Sequence, residues 1–344
     1  MEESRFRRKI TWFQFACCVL VIWSHAGNAE LFMGKLEKTH PLMQLEYGIG
    51  SSLIRVSIPC FLMVSAYLFY RNFSWDKLPG KWKRRCRTLL LPYLCWNLLY
   101  YFGYLAGSRI PVLDRIVNRP GMEFSLADMA SAALFYRSNA VFWFLYQLIL
   151  LTALAPVLYL FLKRIWSGLL FLGTAAVLIT LRIPLPQLNL DALFYYSLAA
   201  FLAIHARKQT EGVWTPARAA AGAVLVCAGL FISQWYYRQA HVPAIVACHA
   251  LSVTGLWLLV DEAWLGAPKP WMGHTFFIYA FHFIPVRFLN KTAAMLLKDS
   301  WAAEAAAAAL YLCMPAAALF VCYQVSRPLE RFCPRAWALL NGGR

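Results

Sequence analysis

Long apolar runs with almost no charge are the feature that most constrains this chain. They include Phe13 to Trp23, Ile58 to Tyr70 and Ala140 to Leu162. Of the whole sequence 61% is hydrophobic and 14% is charged, whereas soluble domains are about 45–50% apolar and about 25% charged. A bilayer-spanning helix needs about 20 apolar residues, and a helix satisfies its own backbone hydrogen bonds in lipid. The runs therefore predict an all-α fold, a polytopic transmembrane helical bundle.

Apolar stretches between charged or Pro/Gly-rich breaks give about ten predicted spans. Their approximate bounds are 9–27, 48–70, 86–107, 140–162, 166–182, 191–206, 216–236, 243–260, 270–289 and 302–325. We interpret residues 1–344 as a single integral-membrane domain.

The basic residues predict the orientation of the bundle. With the N-terminus inside, 21 basic residues fall in cytoplasmic segments and 11 in outer segments, sets that include Arg344 and Arg238 respectively. This asymmetry places both termini in the cytoplasm and the 108–139 connection outside. The lysines and arginines behind the net charge of +17 could also bind anionic membrane lipid or a phosphorylated ligand. Because no recognition motif accompanies the charge, nucleic acid is not an expected partner.

The ten cysteines do not predict a metal site. Most lie inside apolar runs, without CxxC or Cys/His ligand spacing, and these are Cys17, Cys18, Cys60, Cys95, Cys227, Cys313 and Cys322. Such cysteines are typical small packing residues, and we expect no metal cofactor.

Three ionisable residues are predicted at one depth, in the outer half of the membrane. His25 follows Lys9 by sixteen residues, about 24 Å along a helix. Arg55 lies about two turns from the outer end of the second span, and His282 lies in the ninth. Each has a simpler interpretation: an interfacial histidine, a snorkelling arginine and a satisfied core histidine. Their common depth favours a site in which His25 is a general base.

Two further groups extend this hypothesis. Asn97 in the third span and Trp143 at the outer start of the fourth complete a polar, aromatic-lined cavity. The block from Lys81 to Arg87, which contains Arg84 and Arg85, opens the third span from the cytoplasmic side. It is either a topology signal or a site for the phosphates of a cytosolic donor.

Several strings, taken in order from about residue 9 to the C-terminus, resemble the acyltransferase-3 family of bacterial membrane proteins. The first span ends in Val-x-x-x-His25, and Pro59 to Ala66 is similar to the family's Pro-x-Phe-x-x-x-Ser-Gly signature. Further similar strings are Arg84-Arg85 through Leu91-Pro92-Tyr93, Trp143-Phe144-Leu145, Ile278-Tyr279-x-x-His282 and Arg327-Pro328 to Arg331. Two positions depart from the pattern: Gln14 replaces a basic residue, and Ala66 replaces glycine. The first departure leaves Arg55 as the candidate charged partner of His25.

The resemblance implies transfer of an acyl group, often acetyl from acetyl-CoA or another acyl-CoA, to a hydroxyl of an envelope glycan or lipid-linked sugar. It implies a multi-pass protein of the bacterial cytoplasmic (inner) membrane. We expect His25 to act as base or covalent acyl carrier and Arg55 to stabilise the oxyanion, with Tyr279 and His282 among the substrate-binding residues. The alternative is a transporter or exporter of a polysaccharide, lipid or amino acid, since a polar mid-depth cavity also serves transport.

Overall fold

The fold was analysed in a computed structural model that describes residues 1–50, 53–111, 113–119, 121–236 and 241–343. Arg238 and Arg344 of the basic asymmetry lie outside these residues. Over the described ranges the chain is helical and no β-strand is present. The predicted all-α class is confirmed.

The helices follow one another with short connections. The α-helices are α1 (Glu3–Ser24), α2 (Ala29–Met33), α3 (Pro41–Gly50), α4 (Ser57–Tyr70), α5 (Leu78–Arg85), α6 (Leu91–Gly107), α7 (Leu113–Val117), α8 (Leu126–Phe135), α9 (Trp143–Ala153), α10 (Ala155–Leu162), α11 (Ile165–Thr180), α12 (Leu190–His205), α13 (Arg207–Thr210), α14 (Pro216–Tyr236), α15 (Val242–Leu259), α16 (Thr275–Phe281), α17 (Phe283–Leu297), α18 (Ala303–Phe332) and α19 (Pro334–Leu340). Short 3-10 turns lie at Leu53–Val56, Ala140–Phe142 and Pro270–Gly273, and a π-helical turn lies at Cys86–Leu90.

Six helical segments within the described ranges are long and apolar enough to cross a membrane, or up to eight if each of two bent helix pairs is one span. The predicted span 140–162 is divided between α9 and α10, where Pro156 follows the break. The predicted span 270–289 is divided between α16 and α17. Pro156 and Pro285 explain the two divisions, because proline has no backbone N–H to donate to the carbonyl four residues earlier. The count of ten spans and the side of the termini remain predictions.

The chain divides into two compact units, which are described separately. Unit 1 comprises Met1–Cys17, Ile49–Lys83 and Gln147–Gly273. In unit 1 the helices α14 and α15 pack closely against each other, because glycines lie at their interface. A Cβ atom on Gly222 would lie 2.6 Å from the carbonyl oxygen of Gly255. Small residues allow this approach of two apolar helices, and the gain is in dispersion contacts.

Unit 1 also contains an ion cluster centred on Glu211. Arg71 donates to both carboxylate oxygens at 2.7 and 2.8 Å, and Tyr67 and Arg207 donate to Oε1 at 2.8 and 3.0 Å. Arg71 also pairs with Glu3 at 2.8 Å. Burial alone raises the pKa of Glu211, but the hydrogen bonds from these side chains outweigh it, so the pKa lies below its usual value. The cluster holds the segment after α13 against the end of α4.

Unit 2 comprises Cys18–Gly48, Arg84–Tyr146 and His274–Arg344. One of its hydrophobic clusters joins α2, α3, α17 and α18 through Phe32, Leu42, Ala294 and Ala307, all buried. Small alanine side chains on α17 and α18 let the two helices approach each other closely. This cluster supports the chain segment that follows α1, where His25 lies.

Large apolar side chains are also abundant on the outside of the molecule. Trp166 and Leu170 of α11 are 83% and 73% exposed, and Phe231 of α14 is 66% exposed. In water such a surface would be costly, whereas in a bilayer it meets hydrocarbon. The exposed side chains agree with the membrane location that the apolar runs predict.

Candidate active site

Two histidines of unit 2 lie side by side. His25 is exposed and follows the last residue of α1, while His282 is fully buried between α16 and α17. Their ring centroids are 5.5 Å apart, and Phe283 packs against His25 edge to face at 5.6 Å. An accessible imidazole therefore lies directly beside a buried one.

The hydrogen bonding of His282 defines its tautomer. Nδ1 lies 2.6 Å from the carbonyl oxygen of Tyr279. Because a carbonyl only accepts, Nδ1 carries the hydrogen, and Nε2 keeps a lone pair. Nε2 has no hydrogen-bond partner in the described part of the chain. A buried acceptor in this state is costly, and a substrate hydroxyl or a proton on His25 would satisfy it.

The loop that follows His25 is fixed by side chains from two other helices. Glu46 of α3 accepts the backbone N–H groups of Asn28 and Ala29 at 2.7 and 2.9 Å. Asn290 of α17 donates to the carbonyl of Ala26 at 3.1 Å and accepts from the Asn28 amide at 3.1 Å. Together these bonds restrict the backbone beside His25.

Gly27 allows the carboxylate to come this close. A Cβ atom at Gly27 would lie 3.2 Å from Oε2 of Glu46, tighter than an ordinary contact. The sequence Gly27-Asn28-Ala29 therefore combines the space for a carboxylate with two backbone donors directed at it.

The other predicted substrate-binding residues have different surroundings. The hydroxyl of buried Tyr279 donates to the carbonyl of Val141, and Asn97, also buried, donates to the carbonyl of Ala133 at 3.3 Å. Trp143 is 37% exposed at the start of α9. Tyr279 packs against His282, with ring centroids 5.9 Å apart. A groove of unit 2 lies between α6, α7 and α17, and Trp96 and Tyr100 are among the residues that line it. Asn97 and Trp143 are not among its lining residues.

Arg55 belongs to unit 1. It is exposed in the 3-10 turn before α4, and its Nε donates to the carbonyl of Gly50 at 3.1 Å. Its predicted partnership with His25 remains a prediction.

The basic block opens the third predicted span as the sequence indicated. Arg84 and Arg85 end α5, and Arg87 lies in the π-helical turn that follows. Lys83, Arg84 and Arg87 are exposed, and none of these three forms a salt bridge within the described ranges. Their charges are therefore accessible to an anion.

Sequence reasoning missed Glu46, Asn28 and Asn290. One signal was available: Glu46 is an acidic residue among the apolar residues of α3, and a carboxylate in such a place usually has a specific partner. The two asparagines carried no signal, because their contact joins residues 262 positions apart.

In a membrane-embedded helical bundle, an accessible histidine beside a buried one suits an enzyme that handles a reactive group at a membrane surface. The acyltransferase-3 family profile, described as an acyltransferase domain, matches residues 7–328. The chain therefore belongs to this family, and the resemblance drawn from its sequence motifs is confirmed.

The chain is also similar to the succinoglycan biosynthesis protein ExoH of Rhizobium meliloti (strain 1021). The two are 29% identical over 177 residues, which cover 46% of this chain and 43% of that protein. The aligned part thus spans less than half the length of this relative. No solved structure gives a significant match to the chain.

Proposed function

We propose that the chain transfers an acyl group, acetyl in the first instance, from acyl-CoA to a hydroxyl of an envelope glycan or lipid-linked sugar. The observation that carries the proposal is the pair of His25 and His282, one accessible and one with an unsatisfied buried nitrogen. Membership of the acyltransferase family supports the reaction class, and the name of the similar protein suggests a polysaccharide as the acceptor. The proposed location is the bacterial cytoplasmic membrane.

In the proposed reaction His25 takes the proton of the acceptor hydroxyl as that oxygen attacks the thioester carbonyl. The C–S bond then breaks, and the imidazolium returns the proton to the departing thiolate. In the covalent variant, the imidazole nitrogen attacks first and the ring gives its N–H proton to the departing thiolate, so that coenzyme A leaves as the thiol. The acceptor oxygen then displaces the acyl group from nitrogen, and the hydroxyl proton returns to the ring. His282 would position the acceptor or the protonated ring through Nε2.

Two arginine sites complete the proposal. Arg84 and Arg85 would hold the phosphates of the acyl-CoA. The exposure of Lys83, Arg84 and Arg87 supports this role, as does the absence of a salt bridge to Arg84 within the described ranges. Arg55 would stabilise the oxyanion that forms on the thioester carbonyl. No metal ion is required for either step.

The test uses the purified full chain, radiolabelled acetyl-CoA and a panel of envelope glycans and lipid-linked sugars. Replacing His25 by Ala should lower turnover by about 10²–10⁴, the usual effect of a positioned base. Thermal unfolding should change little, because an exposed side chain after a helix end contributes little packing. His40→Asn is the matched control, since His40 is another histidine of unit 2, placed before α3.

Activity of folded His25→Ala within a few-fold of the unmodified protein would refute the mechanism. Substrate movement across proteoliposomes without acyl transfer would instead favour the transporter interpretation.

A further inference from the structure

After α18 the chain folds back onto unit 2 in a short segment. This α19 segment, residues 334–343, contains the helix Pro334–Leu340. Its Trp337 is buried and packs against the rings of His274 at 4.6 Å and Phe277 at 5.2 Å. The family profile matches the chain only as far as residue 328, so the α19 segment lies outside the part that the profile describes.

Two hydrogen bonds anchor the end of the α19 segment. The indole N–H of Trp96, on α6, donates to the carbonyl of Leu340 at 2.9 Å. The backbone N–H of Phe277 donates to the side-chain oxygen of Asn341 at 3.2 Å. Phe277 lies in the first turn of α16, where a backbone N–H has no carbonyl partner within the helix. Asn341, which is 1% exposed, supplies that partner and fixes the segment against α16.

A π-helical turn interrupts the helix that carries the basic block. In this turn the N–H of Leu91 bonds the carbonyl of Cys86, five residues earlier. The sequence explains the wider turn, because Pro92 has no N–H to donate to the carbonyl of Thr88, four residues before it. Such turns inside α-helices are frequent at functional sites, and this one contains Arg87.

Gly342 lies directly against the π-helical turn. A Cβ atom on Gly342 would lie 2.7 Å from the carbonyl oxygen of Thr88, which is too close for two non-bonded atoms. The φ angle of Gly342 is +71°, in the left-handed region that glycine adopts without strain. Because the neighbouring atom belongs to the backbone, a side-chain movement would not relieve the clash. Gly342 is therefore needed where the α19 segment meets the turn.

This contact affects the arginines of the proposed donor site. Arg84 and Arg85 end α5 just before the turn, and Arg87 lies within it. A guanidinium binds phosphate through a planar fork, so its direction decides how well it binds. That direction depends on the backbone of the turn, which the α19 segment contacts at Thr88.

We infer that Asn341 and Gly342 are positioning residues for the donor site. Asn341 fixes the α19 segment on α16, and Gly342 holds the π-helical turn in the form from which the arginines of the basic block meet the phosphates of acyl-CoA. The inference rests on the proposed acyl transfer and extends its donor site to a segment outside the family profile. Both residues act through the backbone of the turn.

The test measures binding of coenzyme A to the purified full chain by isothermal titration calorimetry, together with steady-state kinetics of acetyl transfer. Gly342→Ala places a Cβ atom against the Thr88 carbonyl, so the turn must shift. A shift that weakens one charge-assisted hydrogen bond to phosphate should raise the Kd for coenzyme A, and the KM for acetyl-CoA, about tenfold. The kcat should be unchanged, because the substitution leaves the histidine pair unaltered.

The neighbouring glycine provides a matched control. Gly343 also has a positive φ, +68°, but a Cβ atom there would meet only the methyl group of Thr88 at 3.8 Å, an ordinary contact. Gly343→Ala therefore introduces the same backbone strain without the clash, and it should bind coenzyme A as the unmodified protein does. Asn341→Ala removes the anchor without adding an atom, and it should also raise the Kd. Thermal unfolding midpoints check the folding of each variant.

An unchanged Kd in folded Gly342→Ala, or an equal rise of the Kd in Gly343→Ala, would overturn the inference. A lower kcat with an unchanged Kd would overturn it too, since the α19 segment would then support the histidines and not the donor site. If Gly342→Ala does not fold, the Kd of Asn341→Ala decides in the same way.

The two readouts separate this inference from the proposed function. Weaker binding of coenzyme A in Gly342→Ala, without acetyl transfer to any acceptor by the unmodified chain, would support the inference and refute the proposed function. Acetyl transfer with an unchanged KM in Gly342→Ala would support the proposed function and refute the inference. Failure of the unmodified chain to bind coenzyme A would refute both.

Discussion

Glu46 offers the sharpest test of how the His25 loop is held. Its carboxylate accepts two backbone N–H groups, from Asn28 at 2.7 Å and from Ala29 at 2.9 Å. A hydrogen bond to a charged group contributes about 1.5–3 kcal/mol, and a charge-assisted bond is about twice as strong as a neutral one. Because Glu46 is only half-buried, we take the lower value, about 1.5 kcal/mol, for each of the two bonds. Glu46→Ala should therefore destabilise the loop by about 3 kcal/mol. Glu46→Gln should lose about half of that.

The predicted kinetic effect follows from the position of the loop. A displacement of about 1 Å at a reacting group can lower turnover by about 10², so Glu46→Ala should lower kcat by about that factor. The KM for acyl-CoA should change little, since the Glu46 side chain bonds the His25 loop and, within the described ranges, forms no salt bridge with the basic block. Glu46→Gln, which keeps an acceptor oxygen, should be intermediate, and Glu30→Gln in the first turn of α2 should behave like the unmodified protein.

Steady-state kinetics and thermal unfolding of the purified variants separate two roles for Glu46. A positioning role lowers kcat in protein that is fully folded at the assay temperature. A merely structural role lowers the unfolding midpoint while the folded fraction keeps its kcat. A folded Glu46→Ala variant with kcat within twofold of the unmodified protein would show that the two backbone bonds do not position His25.

Three other predictions concern charged groups. Replacing Arg84 and Arg85 together by Gln should raise the KM for acyl-CoA about tenfold with unchanged membrane insertion. Lys77→Gln, just before α5, should leave the KM unchanged. An unaltered KM in the double variant would show that the basic block is only a topology signal. Arg55→Lys should lower kcat by about tenfold or more in kinetic assays, because an ammonium lacks the planar, forked hydrogen-bond donors of a guanidinium. Full activity of this variant would exclude Arg55 as the group that stabilises the oxyanion. Glu211→Gln should destabilise the protein by about 1–3 kcal/mol in denaturant unfolding. Because folding lowers the pKa of Glu211, the ionised side chain stabilises the folded protein at pH values above the usual glutamate pKa, and this stabilisation is lost as the pH falls below that value. The free energy of unfolding of Glu211→Gln should therefore depend less on pH.

The fold class was predictable because hydrophobic length is a local property of the sequence. Runs such as Ile58 to Tyr70 cannot be buried in a soluble core, and helices are the structure that lipid allows. A common depth for His25 and His282 was predicted because the rise of a helix converts sequence distance into depth. The two rings lie 5.5 Å apart, a contact that also depends on which helix faces meet and that the spacing did not predict.

The surroundings of the histidines were not predictable in the same way. Asn97 was predicted to line a cavity because it is polar, and that role stays a prediction. Trp96 and Tyr100, four residues apart on α6, share the face that lines the groove between α6, α7 and α17. Sequence alone does not say which face of an all-round apolar helix meets which neighbour. The contact of Glu46 with the His25 loop depends likewise on how α3 packs, which periodicity does not encode.

The division between α16 and α17 connects a local sequence signal to the chemistry of the site. Pro285 has no N–H to donate to the carbonyl of Phe281, four residues earlier, so the helix divides near His282. At that break the His282 side chain turns back and donates Nδ1–H to the carbonyl of Tyr279 at 2.6 Å, which leaves Nε2 as the lone pair of the ring that packs against His25. The proline accounts for the interruption of the predicted span, and the hydrogen bond to Tyr279 accounts for the tautomer. The first follows from a local sequence signal, whereas the second depends on the side-chain conformation that the break leaves to His282.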